Sequence, residues 1–128
     1  MKKAEALFTA KFRIWAKKHM HTGAFEIKHT RGKDYFNMRE LYEHQRMALL
    51  AADSKEGFAY KIPDDGRAFK PFDMIVFKES DAWVVIAYPK EFVIIEAHVI
   101  IQHTKPTLFF ADASKMAFFT HEHSELYQ

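Results

Sequence analysis

Glu26 and Lys28 stand two residues apart in Ala24-Phe25-Glu26-Ile27-Lys28-His29, a run in which apolar and charged side chains alternate. Alternation at period two marks a half-buried strand, with Phe25 and Ile27 turned to a core and Glu26 and Lys28 sharing the opposite face. A carboxylate and an ammonium placed side by side in this way suit phosphodiester hydrolysis. The carboxylate holds a divalent cation that activates water and neutralises charge on the phosphate, and the lysine adds positive charge to the transition state or orients the nucleophile. Charged residues also alternate on many solvent-facing strands for structural reasons. The spacing alone therefore leaves both readings open.

The elements that must position these two residues are legible around them. Residues 3 to 19 read as an amphipathic helix, because Ala4, Phe8, Phe12 and Trp15 recur at helical spacing while lysines and Arg13 fall on other faces. Gly23 punctuates the chain before the strand, and Arg31-Gly32-Lys33-Asp34 makes a basic turn after it. Asn37 with Glu40 three residues on resembles a capping box, which starts a second helix running to about Ala52. Met38, Leu41, Tyr42, Ala48, Leu49 and Ala52 form the apolar stripe of that helix, and Gln45 falls near its middle. An amide there needs a hydrogen-bond partner or a functional reason.

Strand signals follow at Gly57 to Ile62, Phe72 to Phe77, Trp83 to Tyr88 and Phe92 to Ile101. Pro63-Asp64-Asp65-Gly66 is a turn, and Trp83-Val84-Val85-Ile86-Ala87-Tyr88, apolar on both faces, predicts a central strand covered by helices on each side. A short helix is expected in the tail from Asp112. Helix, strand, helix, then several strands describe an α/β or α+β fold: one domain spanning residues 1–128, with a mixed central sheet flanked by helices.

The run Ala24-Phe25-Glu26-Ile27-Lys28, the basic turn and the helix carrying His44-Gln45 resemble the E-x-K strand and following helix of the PD-(D/E)xK nucleases. They are especially similar to the RecU-type Holliday-junction resolvases and their phage and plasmid relatives. Tyr60-Lys61-Ile62-Pro63-Asp64-Asp65-Gly66, Lys70-Pro71-Phe72-Asp73 and Ala82-Trp83-Val84-Val85-Ile86 carry the likeness further, over about residues 4 to 88. The resemblance implies a restriction-endonuclease-like core, with Glu26 a metal ligand, Lys28 the catalytic lysine, Gln45 the helix residue near the site and Glu5 the first-helix acid. Most of that superfamily places an aspartate strand before the E-x-K strand, whereas here only Thr22-Gly23 separates it from the first helix. Asp73 is the best substitute for the second acid, which would make the core circularly permuted.

Other candidates keep their structural alternatives. Asp73 opens a strand and Asp64 and Asp65 suit a turn; Gln45 could be a satisfied core amide, and Glu5 could favour a helix N-terminus through the dipole. Arg31, Lys33 and Lys70 are candidates for phosphate contacts, with solvated loops as the alternative. Tyr35 and Phe36 could stack on exposed bases. The pairs His19 with His21 and His121 with His123 lack further ligands at zinc spacing.

Composition bounds the partners. The chain has 128 residues and no cysteine, so any metal is held by oxygen or imidazole and a reducing cytoplasm is compatible. The formal charge is only +2, yet Lys2, Lys3, Lys11, Arg13, Lys17 and Lys18 concentrate in the first helix, which suits an anionic partner. No run approaches the roughly 18 consecutive apolar residues of a membrane span, and no apolar signal region follows the first lysines. The expectation is a cytoplasmic, Mg²⁺-dependent endonuclease, with Mn²⁺ as a substitute cation, that hydrolyses DNA at Holliday junctions or other branched sites as a homodimer. The alternative is a catalytically inactive nucleic-acid- or partner-binding protein with a nuclease-like fold.

Overall fold

The computed structural model describes residues 3–19, 21–64 and 70–127. Helix α1 (Lys3–Lys18) leads through Gly23 into strand β1 (Ala24–His29), then β2 (Tyr35–Asn37), a 3-10 turn at Met38–Glu40 and helix α2 (Glu43–Asp53). The hairpin of β3 (Phe58–Lys61) and β4 (Met74–Phe77) follows, then β5 (Ala82–Ala87) and β6 (Glu91–Glu96). The chain ends with short helix α3 (Ala97–Ile100), β7 (Thr107–Phe109), α4 (Phe110–Met116), β8 (Phe119–Glu122) and a 3-10 turn at His123–Tyr127. Among the described residues no helix is long and apolar enough to cross a membrane.

The main sheet is mixed, in the order β1-β5-β6-β8, with β1 parallel to β5 and the remaining pairs antiparallel. As its two-faced apolarity predicts, β5 lies inside, with Val84, Val85 and Ile86 fully buried. Its even-numbered and odd-numbered side chains enter two different cores. Val84 and Ile86 join Val93 and Ile95 of β6 against Leu49 of α2, Ile100 of α3 and Ala113 of α4. Val85 and Ala87 join Phe92 and Ile94 against Phe8, Phe12 and Trp15 of α1 and Leu126. The architecture is thus a helix-flanked mixed α/β sheet, and burial of both faces is what holds it.

β1 inherits its register from β5, Glu26 standing beside Val84 and Lys28 beside Ile86. Phe25 and Ile27 pack on the α1 side, so Glu26 and Lys28 must turn to the α2 side. Gly23 makes the tight entry feasible: its φ is +128°, and a β-carbon there would sit 2.2 Å from the Asp81 carbonyl oxygen. At the other end the Thr30 backbone N–H and hydroxyl both donate to the Ala87 carbonyl, at 3.1 and 3.2 Å.

Four local expectations are corrected. The Asn37 side chain caps the 3-10 turn, accepting from the Arg39 N–H at 3.0 Å, and α2 proper begins only at Glu43. The strand expected to run from Phe92 to Ile101 stops at Glu96, because Ala97–Ile100 coil into α3 and bury Ala97 and Ile100 against the α2 side. Ala4 is exposed rather than part of the α1 stripe. The tail holds a strand, β8, as well as the expected helix. Asp65 and Gly66 of the expected turn, and Lys2, lie outside the described residues.

Candidate functional site

Glu26 and Lys28 are not a solvated charged face. Their side chains are 29% and 14% exposed and tuck beneath the start of α2, with Lys28 Nζ 3.5 Å from Glu26 Oε1. Gln45 reaches down from α2 and donates from Nε2 to the same Glu26 oxygen at 3.0 Å, while its own Oε1 accepts from the Tyr42 backbone N–H at 3.1 Å. That second bond fixes which end of the amide faces the strand. Lys28 Nζ also stands 5.0 Å from the centroid of the Tyr42 ring, a cation–π distance. The amide placed in the α2 stripe by periodicity therefore finds its partner on the E-x-K strand.

Next to this cluster is a cavity of about 140 Å³ whose wall includes Glu5, Lys28, Arg31, Glu40 and Tyr42. Glu26 is not in that wall, so Lys28 alone links the buried pair to the concave surface. Across the mouth Arg31 spans two carboxylates, from Nε to Glu5 Oε1 at 2.9 Å and from Nη1 to Glu40 Oε1 at 3.2 Å. The Glu5 hydrogen bond first, and the Glu40 charge second, raise the already high pKa of the guanidinium further. The sequence pattern marks Glu40 only as half of a capping box. Its role at the cavity had no local signal, because Arg31 and Glu5 come to it from other elements.

The second acid is not brought in. Asp73 precedes β4, in a hairpin whose strands pair with one another and not with β1. Its side chain is 92% exposed and its carboxylate lies 3.5 Å from Lys70 Nζ. Among the described residues no three His, Asp or Glu side chains form a group that could hold a metal ion. The expected set of Glu5, Glu26 and Asp73 is therefore dispersed into three ion pairs: with Arg31, with Lys28 and with Lys70. The physical reason is topological, since β1 is the edge strand of its sheet and the hairpin does not extend that edge.

No family model matches the chain, and no curated protein or solved structure does. Arg31 is 54% exposed but neutralised by its two glutamates. Lys33 stands 5.3 Å from the Tyr35 ring, and Tyr35 packs at 5.6 Å on Phe109. Lys70 is committed to Asp73. Phe36 is fully buried in the core, which removes it as a base-stacking residue.

His21, His29 and His121 pack on aromatic rings. His21 stacks on Trp15 at 5.0 Å, and His121 meets the same ring edge-on at 4.9 Å while its Nδ1 lies 2.6 Å from Glu125 Oε2. His29 meets Phe8 edge-on at 5.1 Å. Burial lowers the pKa of His21, helped by the charges of His121 and His19. Burial likewise lowers His29, against the pull of Glu5.

Proposed function

We propose that this chain is a cytoplasmic endonuclease of the PD-(D/E)xK type, with a restriction-endonuclease-like core, that hydrolyses DNA phosphodiesters with Glu26, Lys28 and Gln45 as its catalytic cluster. The observation that carries the reading is the half-buried Glu26–Lys28 pair held by Gln45. Taking two charges this far out of water beneath a helix carries a desolvation cost that apolar side chains at the same positions would avoid. A site for phosphoryl chemistry gives that cost a purpose. Branched DNA, with a homodimer making two symmetric cuts, is the substrate class within this reading.

Glu26 supplies hard oxygen donors, and Mg²⁺ commonly takes only one or two protein carboxylates, keeping waters and completing its shell with substrate phosphate. The donor set does not fit a cation caged by protein alone: Glu26 Oε1 is engaged by Lys28 and Gln45, so a cation at Glu26 would rest on the other carboxylate oxygen and on substrate phosphate. The chemistry supplied by Mg²⁺, or Mn²⁺ in its place, is neutralisation of phosphate charge and activation of water. Gln45 orients the carboxylate. Lys28 reaches from that carboxylate to the cavity wall, where its ammonium meets the negative charge that grows on the scissile phosphate.

One observation favours a second reading, a nucleic-acid-binding module without cleavage: Asp73 lies apart from Glu26. Incubation with Mg²⁺ or Mn²⁺ and linear, flapped and four-way DNA separates the two. Cleavage that disappears with EDTA is expected. DNA binding with no cleavage in either metal would favour the binding module.

A further inference from the structure

Three elements converge on one guanidinium at the mouth of the Lys28 cavity. Glu5 comes from the first turns of α1, Glu40 from the 3-10 turn, and Arg31 from the turn that leaves β1. The turns bearing Arg31 and Glu40 are each anchored by contacts of their own. Thr30 is tied to Ala87 immediately before Arg31. The turn bearing Glu40 is held from below by Arg46, which donates from Nε to the Leu41 carbonyl at 2.9 Å and from Nη2 to the Met38 carbonyl at 3.1 Å. Arg31 itself has φ +56°, a left-handed conformation that a long side chain seldom adopts and that persists where surrounding contacts impose it.

Two carboxylates, Glu5 and Glu40, share one guanidinium at this mouth. A DNA phosphate approaching Lys28 therefore meets Glu5 and Glu40, and Arg31 has no charge to spare for it. The Arg31 side chain is 54% exposed, so an incoming anion can reach it and compete for its ion pairs. We propose that Glu5–Arg31–Glu40 is an electrostatic latch: Glu40 and Glu5 hold Arg31 in the free protein, and DNA engages the cavity by drawing Arg31 from the carboxylates onto a backbone phosphate. This rests on the reading of the Lys28 cavity as a DNA phosphate site.

The latch makes an unusual prediction, that removing an acid at the site strengthens binding through one particular arginine. A labelled DNA duplex, titrated by fluorescence anisotropy in EDTA so that cleavage plays no part, is the probe. Glu40→Gln should bind it about two- to fivefold more tightly than the parent, with a salt slope steeper by about 0.9, one added phosphate contact. Glu40→Ala, which leaves no acceptor, should do at least as well. In an Arg31→Ala background the gain from Glu40→Gln should vanish. Glu43→Gln, which removes an exposed charge from the first turn of α2, should give a smaller gain that survives loss of Arg31.

The latch is overturned if Glu40→Gln binds no better than the parent, if its gain persists without Arg31, or if no variant binds DNA. Cleavage with Mg²⁺ is scored separately. A chain that cuts DNA but shows no Arg31-dependent gain loses the latch and keeps the nuclease. A chain that shows the gain but never cuts keeps the latch and loses the nuclease.

Discussion

Two regions bear the acidic residues expected to share a cation, and they are built in opposite ways. β1 is paired along its whole length with a largely buried strand and is overlain by α2, so Glu26 and Lys28 have little freedom and Gln45 fixes one of them. The β3–β4 hairpin pairs only with itself, and Tyr60, Phe72, Met74 and Val76 are about half exposed along it, as is Asp73 almost entirely. A carboxylate gains a defined position from what its strand is packed against, not from its place in a strand. An isolated two-stranded hairpin is marginal in water without further cover.

Lys28→Ala is the largest lever on this comparison. The ammonium is needed chiefly when charge develops in the transition state, so cleavage should fall by about a hundredfold or more, far beyond the loss of one phosphate contact in DNA affinity. Parallel cleavage and gel-shift assays on one junction substrate read both numbers. Unchanged cleavage would remove β1 from the chemistry and leave the binding module.

Gln45→Leu tests how the ordered region is held. Glu26 would lose a hydrogen bond while staying half-buried beside Lys28, and the Tyr42 N–H would lose its acceptor. The expected cost is about 1–2 kcal/mol in urea unfolding. A neutral result would mean that Glu26 turns to solvent at no cost, and that α2 does not fix it.

Acid should loosen the α1 side of the sheet before the α2 side. His21 and His29 have pKa values below the ordinary histidine value, so as pH falls through about 6.5 the unfolded chain binds protons first. Stability is then fully present above that range and declines with acidification toward the lowered native values. Hydrogen exchange at pH 7.5 and 5.5 should show α1 and β8 losing protection, with α2 less affected. The reverse order would place the acid-sensitive groups elsewhere.

What the sequence made legible divides along the same line. α1, β1 and β5 announce themselves because their burial is periodic, and Gln45 stood out because an amide in an apolar stripe must be accounted for. The pairing of β2 with β7 joins residues 35–37 to residues 107–109, which no local pattern reports. Glu40 could not be found for the same reason, since its partner Arg31 belongs to another element. Asp73 carried a motif without a position: Phe72-Asp73 marks the start of a strand but says nothing of which sheet that strand joins.

Asp73→Asn is the smallest expected effect and the one that most sharpens the contrast. An almost fully exposed carboxylate paired with Lys70 contributes little, so stability should move by no more than about 0.5 kcal/mol. Cleavage should stay within about twofold of the parent, because an isosteric change in a hairpin that does not pair with β1 leaves Glu26, Lys28 and Gln45 where they are. Lys70→Ala belongs beside it, since both variants break the same ion pair while only one removes an acid. Should Asp73→Asn abolish cleavage with folding and DNA binding intact, and Lys70→Ala not, the carboxylate itself must reach the scissile phosphate. The hairpin would then have to close over the free edge of β1 when DNA binds, and the two regions that are separate in the free chain would form one site in the complex.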